Sequence, residues 1–285
     1  MTDGKEKENW DLVIKPKRGL FEINLIEIWH YKDLVLLLAK RDLLSNNKQT
    51  LLGQAWIILN PLFTCLIYMF IFGRIAKLST DSIPPILFYL SGIMFWNFFT
   101  ANVYKSAGTF LANSGLFGKA FFPRLVVPIS GIFVFIINFS VQLIFLIGFM
   151  IYFSFNGYSF HPSGYIFLFP VLLLVVSLLA IGMGLIVSSI TIRYRDINNL
   201  FGLFIQLLMF ATPVVFPAST IPLSLRPYIW LNPMTSIVEA ARYSLFGFGS
   251  LQPEWLVYSL VSSILIFVVG IISFNQTEKN FIDTI

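Results

Sequence analysis

Six stretches of this sequence are long, apolar and free of ionisable side chains. A helix of about 20 apolar residues crosses the ~30 Å hydrocarbon layer of a bilayer. The predicted limits of the six spans are Leu51–Phe72, Ile86–Tyr104, Val126–Tyr152, Ile166–Ile190, Leu200–Phe216 and Leu256–Phe274. Only 12% of the residues are charged, whereas an ordinary soluble domain has about 25%. The sequence therefore predicts an all-α integral membrane protein whose residues 51–285 form a domain of six transmembrane helices.

The distribution of lysine and arginine predicts how these helices are oriented. With the N-terminus in the cytoplasm, 15 of the 19 Lys and Arg residues lie on the cytoplasmic side, as the positive-inside rule expects. Both termini are therefore predicted to be cytoplasmic. The basic residues are dispersed, so the net charge of +5 reflects membrane orientation and does not indicate nucleic-acid binding. Because the first fifty residues are polar and charged, no cleavable signal peptide is expected.

Residues 1–50 are predicted to contain one amphipathic helix, from Glu22 to Leu44. Apolar residues recur there at spacings of three and four, the period of one helix face. That face carries Leu25, Ile28, Trp29, Val35, Leu36, Ala39 and Leu43, interrupted by Lys32. The opposite face mixes His30, Asp33, Lys40 and Arg41 with Leu34 and Leu37. We interpret it as an interface helix that lies on the membrane and then bends inwards; a helix packed on a neighbouring protein is the alternative.

The predicted spans lack the groups that would drive transport or catalysis. Proton- and ion-coupled carriers usually keep ionisable residues in the membrane, and enzymes need a nucleophile, an acid, a base or a metal cluster. His30 and His161 match no metal-ligand spacing, and Gly115–Lys119 is too short for a phosphate-binding loop. The energy for uphill transport must therefore enter from outside the bilayer. An ATPase would be a separate subunit, and this chain itself would be neither an enzyme nor the holder of a cofactor.

Aromatic side chains are abundant, and 31 of them are phenylalanine. Lipid-facing Phe and interfacial Tyr and Trp account for much of this. A subset is a candidate for the wall of a pathway, because the apolar C–H faces of sugar rings pack on aromatic rings. These candidates are Phe63, Tyr68 and Phe72 on the first span and Phe204 and Phe210 on the fifth. The sequence does not separate the lipid-facing from the channel-lining interpretation.

The loop 112–124, between the second and third spans, has apolar residues between two small polar turns and a basic flank. A short helix that docks into a cleft on a cytoplasmic partner has this composition. A plain loop that carries positive-inside charge is the alternative.

The external connection, residues 217–255, is long and too apolar for a solvated loop. Within it, Ser236–Phe248 is expected to form a short helix with Glu239 and Arg242 paired three residues apart. Segments that are too short to span a bilayer but apolar enough to enter it indicate re-entrant helices, which narrow the outer mouth of a pathway. A capping loop without a role in transport is the alternative.

Several short motifs occur in the order found in one known family. They are Lys40-Arg41-Asp42, Lys48-Gln49-Thr50-Leu51-Leu52-Gly53, Trp56, Pro61-Leu62, Phe72-Gly73, Asn113 with Leu116 and Lys119, Phe122-Pro123-Arg124, Tyr194-Arg195-Asp196, Thr212-Pro213-Val214 and Asn232-Pro233-Met234. With these motifs, nearly the whole chain resembles the type 2 ABC transporter permeases that export polysaccharides. Each motif is weak alone, and their order makes the combination specific.

The resemblance implies a permease of the bacterial plasma (inner) membrane that acts as a homodimer. It also implies two copies of an ABC nucleotide-binding subunit that holds ATP and Mg, and a lipid-linked polysaccharide as substrate. An O-antigen is one such substrate, and a teichoic acid is another. A drug- or small-lipid-exporting permease of the same superfamily is an alternative, as is a membrane enzyme of lipid-linked sugar metabolism.

The resemblance also implies roles for particular residues. The loop 112–124 looks like the family's coupling helix, with partner contacts at Leu116, Phe117, Lys119 and Phe121. The N-terminal helix would act as a gate near the lipid pyrophosphate, with basic neighbours at Lys40, Arg41 and Lys48; simple positive-inside anchoring is the alternative. Arg193 and Arg195 either brace the same gate or end the fourth span.

Overall fold

A computed structural model of the protein describes residues 25–45, 51–117, 122–161, 164–249 and 251–281. Within these ranges the chain forms helices and connections without any strand, which confirms the all-α class. The α-helices are α1 (Leu25–His30), α2 (Lys32–Ser45), α3 (Trp56–Tyr68), α4 (Pro85–Ala107), α5 (Thr109–Ala112), α6 (Ser114–Phe117), α7 (Val126–Phe155), α8 (Phe169–Thr191), α9 (Ile197–Phe210), α10 (Arg226–Trp230), α11 (Pro233–Phe246) and α12 (Pro253–Phe281). A π-helix, Met69–Ile75, continues α3, and 3-10 helices occupy Gly53–Ala55, Gly164–Leu168 and Ala218–Thr220.

Five described helical segments are long and apolar enough to cross a membrane. They are Gly53–Ile75, Pro85–Ala107, Val126–Phe155, Gly164–Thr191 and Pro253–Glu278. Each coincides with a predicted span to within a few residues, and ionisable side chains such as Arg74 and Lys105 lie only near the segment ends.

The helix of the predicted fifth span is shorter than expected. The predicted limit at Phe216 is wrong, because α9 ends at Phe210. Pro213 disfavours helical backbone at the residue before it, so the chain leaves the helix there. Since this apolar helix falls below the length of a span, the total of six transmembrane helices stays a prediction.

Helix α8 lies between α4 and α12 and approaches each of them closely at glycines. A Cβ atom on Gly184 of α8 would lie 2.4 Å from the Ser106 Cβ of α4. A Cβ atom on Gly182 would lie 2.6 Å from the Phe267 backbone of α12, where Gly270 faces Gly182. Small residues let the backbones of membrane helices pack directly against each other. The three helices therefore form a tightly packed unit.

A proline inside α3 is compensated by a side chain of α7. Pro61 has no N–H group, so the carbonyl of Ile57 lacks its partner within the helix. The Gln142 side chain donates to that carbonyl through Nε2 at 3.3 Å. An unsatisfied carbonyl is costly inside a bilayer, so this hydrogen bond stabilises α3 on α7.

The predicted N-terminal helix is present in part, and its buried face overlaps the expected one at Val35 and Ala39 only. It breaks at Tyr31 into α1 and α2, and residues 22–24 lie outside the described ranges. Val35, Leu38 and Ala39 are buried, and α2 packs against α7. Trp29 and Leu36, which the prediction placed on the apolar face, are 71% and 56% exposed. An apolar side chain at a membrane can face lipid or protein, so periodicity alone did not identify the packed face.

At the other end of the bundle, the predicted helix around Ser236–Phe248 is confirmed as α11, with shifted limits. Asn232 caps its start by accepting a hydrogen bond from the Met234 N–H at 3.0 Å. Gly247, with φ of 76°, ends it in the left-handed conformation. This helix packs against α12, α4 and α8. Whether the segment is re-entrant in a bilayer stays a prediction.

Candidate functional site

We call the two ends of the bundle the α2 end, where α2 meets the last residues of α4, and the α11 end, where α11 meets the first residues of α4. At the α2 end, Asp42 connects α2 to α4. Its carboxylate accepts a hydrogen bond from the Lys105 ammonium group. It also accepts bonds from Arg41 Nε at 3.0 Å and Nη2 at 2.8 Å. The Lys105 stem lies against Gly131 of α7, so three helices meet here.

The Asp42 carboxyl is held in its charged form. Burial raises its pKa, but the hydrogen bonds and charges of Lys105 and Arg41 outweigh burial and leave the pKa below its usual range. A depressed pKa means that the pairing is present at neutral pH and is lost only as the pH falls through the lowered pKa. The contact between α2 and α4 is therefore ionic under physiological conditions.

The loop predicted to be a coupling helix contains the single-turn helix α6, and the single-turn helix α5 ends where the loop begins. Leu116 and Phe117 of α6 are partly buried and pack on a cluster that includes Val35, Leu38 and Phe122. The rings of Phe117 and Phe122 have centroids 5.5 Å apart. Lys119 and Phe121 lie outside the described residues. The described part of this loop therefore packs against residues of α2, at the same end of the bundle as Asp42.

The basic residues proposed as phosphate neighbours are only partly brought together. Lys40 and Arg41 are exposed on α2, and Lys48 lies outside the described ranges. Arg193 and Arg195 are exposed in the turn between α8 and α9. Within the described residues, no hydrogen bond or ion pair joins these two arginines to the Asp42 group. Their role as part of one gate stays a prediction.

At the α11 end, Glu239 and Arg242 form an ion pair, and both side chains are almost fully buried. Glu239 Oε1 lies 3.4 Å from Arg242 Nη1 and accepts a hydrogen bond from the Ala218 N–H at 3.2 Å. The arginine also donates to three backbone carbonyls, those of Pro213 at 2.5 Å, Val214 at 3.0 Å and Phe88 at 3.2 Å. A Cβ atom at Gly92 would lie 2.8 Å from Nη2, so glycine makes room for the guanidinium group. The pair fastens α11 to α4 and to the segment 213–218.

The aromatic candidates for a channel wall occupy two different environments. Phe63, Phe204 and Phe210 are exposed, at 53%, 49% and 51%. Tyr68 and Phe72 are partly buried and contact each other with ring centroids 5.6 Å apart. The Tyr68 hydroxyl donates to the Met209 sulfur at 3.5 Å, which joins α3 to α9. Both helices leave large apolar side chains exposed, and Ile205 is the buried residue of α9.

The five long apolar helices define a multi-pass membrane protein. Comparison with known proteins gives its family. Residues 33–246 match the ABC-2 type transporter family. Because the match covers most of the chain, the protein belongs to the ABC-2 type transporter family. This confirms the resemblance seen in the sequence motifs.

Individual relatives carry names of polysaccharide exporters. The chain is 26% identical over 250 residues to "O-antigen export system permease protein RfbA" of Klebsiella pneumoniae, covering 87% of this chain and 93% of that protein. It is 26% identical over 263 residues to the RfbA protein of Myxococcus xanthus, covering 91% and 98%. It is 24% identical over 229 residues to "Polysialic acid transport protein KpsM" of Escherichia coli, covering 80% and 87%.

Sequence reasoning missed four residues that organise the α2 end. Lys105 counts in the sequence only as a positive-inside charge, Asp42 and Arg124 stand there only as members of family motifs, and Glu278 has no predicted role. Asp42 and Lys105 are 63 positions apart, and Arg124 and Glu278 are 154 apart. The one available signal was an acidic residue close to a predicted membrane boundary, where a charge usually needs a partner.

Proposed function

We propose that this chain is the permease subunit of an ABC exporter that moves a lipid-linked polysaccharide out of the cytoplasm across the bacterial inner membrane. The observation that carries the proposal is the match to the ABC-2 family together with relatives named for O-antigen and polysialic acid export. These names favour a polysaccharide over a drug or a small lipid.

The energy for export comes from a separate subunit. In the described parts of the five spans, ionisable side chains lie only near the ends, so these spans offer no charged group for proton or ion coupling. Two copies of an ABC nucleotide-binding subunit bind ATP and Mg and dock on the loop 112–124. Leu116, Phe117, Lys119 and Phe121 are the partner contacts. In this proposal the α2 end and both termini are cytoplasmic, and the positive-inside count of Lys and Arg supports this orientation.

The permease acts as a homodimer with the channel at the dimer interface. We place the interface at α3 and α9 because these two helices carry the aromatic candidates, and three of those, Phe63, Phe204 and Phe210, are exposed. Phe63, Tyr68, Phe72, Phe204 and Phe210 line the path, where sugar rings pack on aromatic faces. ATP-driven closure of the partner subunits pushes the loop 112–124 and rotates α3 and α9, which opens the path.

The lipid pyrophosphate binds near the α2 end before export. Lys40 and Arg41 are exposed there, and Lys48 follows α2 in the sequence. Basic side chains at the inner surface favour a phosphate dianion. The gate formed by α2, together with Arg193 and Arg195, admits the headgroup to the channel.

Reversing the charge of one side chain and truncating another in the loop 112–124 tests this proposal. The double variant Lys119→Glu/Phe121→Ala should export about 5- to 150-fold less glycan, because coupling free energies between sites are typically about 1–3 kcal/mol. The permease should still fold and dimerise, while substrate no longer stimulates the ATPase. Glycan at the cell surface and ATP hydrolysis by the purified complex are the measurements.

A matched control places the same two changes at the opposite end of the molecule. Lys77→Glu/Phe155→Ala alters an exposed lysine and a phenylalanine that is 88% exposed. This control should export normally. Wild-type export by the loop variant, or an equal loss in both variants, would contradict the assignment of the loop.

A further inference from the structure

Arg124 is a cation buried at the α2 end of the protein. The residue is 8% exposed. Its Cζ atom lies 5.5 Å from the ring centroid of Phe110 and 5.3 Å from that of Phe117. Its Nε lies 3.7 Å from the Glu278 carboxylate, and Nη1 donates to the Glu278 carbonyl at 3.5 Å. One guanidinium group therefore contacts α5, α6 and the end of α12.

The aromatic partners of Arg124 extend this connection in two directions. Phe110 stacks on Phe274 of α12, with ring centroids 4.5 Å apart and an interplanar angle of 21°. Both rings are fully buried, in a cluster that also contains Ile181 and Leu185 of α8. On the other side, Phe117 packs against the cluster that contains Val35 and Leu38 of α2. Arg124 thus lies where the loop meets the first helices of the chain and the last one.

The chemistry of this site favours a specific link over simple packing. Burying a charge carries a desolvation penalty, and an apolar residue of similar size would often stabilise the fold at least as well. A guanidinium group, however, fixes the relative orientation of its partners, because its planar fork stacks on rings and pairs with a carboxylate at the same time. Helix α6 has only one turn, and its described side chains are exposed or partly buried. A displacement of the loop would therefore move Arg124 before it changed the packing of the long helices.

We propose that the Arg124–Glu278 pair transmits displacement of the loop 112–124 to α12. Because α12 packs directly on α8 through Gly182 and Gly270, the movement passes into the centre of the bundle. Arg124 is then a positioning residue for export that does not itself bind ATPase or glycan. The inference rests on the proposed function, in which this loop docks on the nucleotide-binding subunit.

The test uses the complex of permease and ATPase reconstituted in proteoliposomes. Glu278→Gln keeps the shape of the side chain and removes its charge. It should keep ATPase binding and basal hydrolysis but lower export and substrate-stimulated hydrolysis about fivefold or more. Arg124→Lys retains the cation but loses the planar fork, so it should also lower stimulation, though less than Arg124→Leu, which should lose it like Glu278→Gln.

A double variant separates transmission from stability. Arg124→Leu/Glu278→Leu leaves no unpaired charge, so its thermal stability should match or exceed that of wild type. If the pair transmits motion, this stable variant still exports poorly. Recovery of export together with stability would overturn the inference, as would wild-type export by Glu278→Gln.

The proposed function can fail separately from this inference. If wild-type permease neither retains nor regulates an ATPase, the proposed function is wrong and the inference falls with it. If Lys119→Glu/Phe121→Ala uncouples the complex while the Arg124 and Glu278 variants behave as wild type, only the inference is wrong.

Discussion

Replacing Gly182 with valine is expected to destabilise the protein by about 3 kcal/mol, the upper part of the usual range for overpacking. Even the Cβ atom of the new side chain would lie 2.6 Å from the backbone of Phe267 on α12. Backbone cannot move aside as the end of a flexible side chain can, so α8 and α12 must separate. That separation would also weaken the contact of α8 with α4 at Gly184. The melting temperature of the detergent-solubilised protein measures the effect.

Gly148 provides a matched control for this substitution. It also lies in a transmembrane helix, α7, but a Cβ atom there meets nothing within 4 Å. Gly148→Val changes the same atoms and the same helix propensity, so its melting temperature should stay close to that of wild type. Equal losses at Gly182 and Gly148 would mean that the α8–α12 contact is looser than described.

Arg242→Met is expected to cost about 3–5 kcal/mol, the range for breaking a buried ion pair by removing one partner. The Glu239 carboxylate would remain buried without its counter-charge. The carbonyls of Pro213, Val214 and Phe88 would lose their shared donor. Helix α11 should therefore detach from α4, with a large fall in the yield and melting temperature of folded protein.

Arg226→Met is the control for this second substitution. Arg226 also donates to two carbonyls, those of Ser219 at 2.8 Å and Ile221 at 3.0 Å. It is half-buried and within reach of water, so its loss should cost only about 1–2 kcal/mol. Adding Glu239→Gln to Arg242→Met should restore part of the stability, because the buried charge is then removed. A larger loss at Arg226 than at Arg242 would contradict the described burial.

The sequence predicted the helical class and the position of the long helices well, because a span needs an apolar run of a fixed minimum length. It predicted less well how each helix is rotated. On α2 the buried face includes Leu38, which the proposed stripe omitted, while Leu36 faces outwards. Apolar side chains suit both lipid and protein contacts, so hydrophobic periodicity alone does not identify which face of a helix at a membrane packs on protein.

The candidate site was predictable only where its residues lie close together in the sequence. The loop 112–124 was identified from its composition and resemblance, and the Glu239–Arg242 spacing indicated their pairing. Their burial was not predictable, since it depends on Gly92 of another helix leaving room for the guanidinium group. The Asp42–Lys105 and Arg124–Glu278 contacts join residues distant in the chain, and one sequence does not identify which distant residue is the partner.

The decisive measurement concerns the source of energy. Purified permease reconstituted in liposomes, alone or together with its nucleotide-binding subunit, is supplied with lipid-linked glycan and ATP, and glycan on the far side of the membrane is quantified. Because the described membrane helices keep ionisable side chains only near their ends, we predict translocation only when both the ATPase subunit and hydrolysable ATP are present. Translocation by the permease alone, without nucleotide, would contradict the proposal that a second protein drives transport.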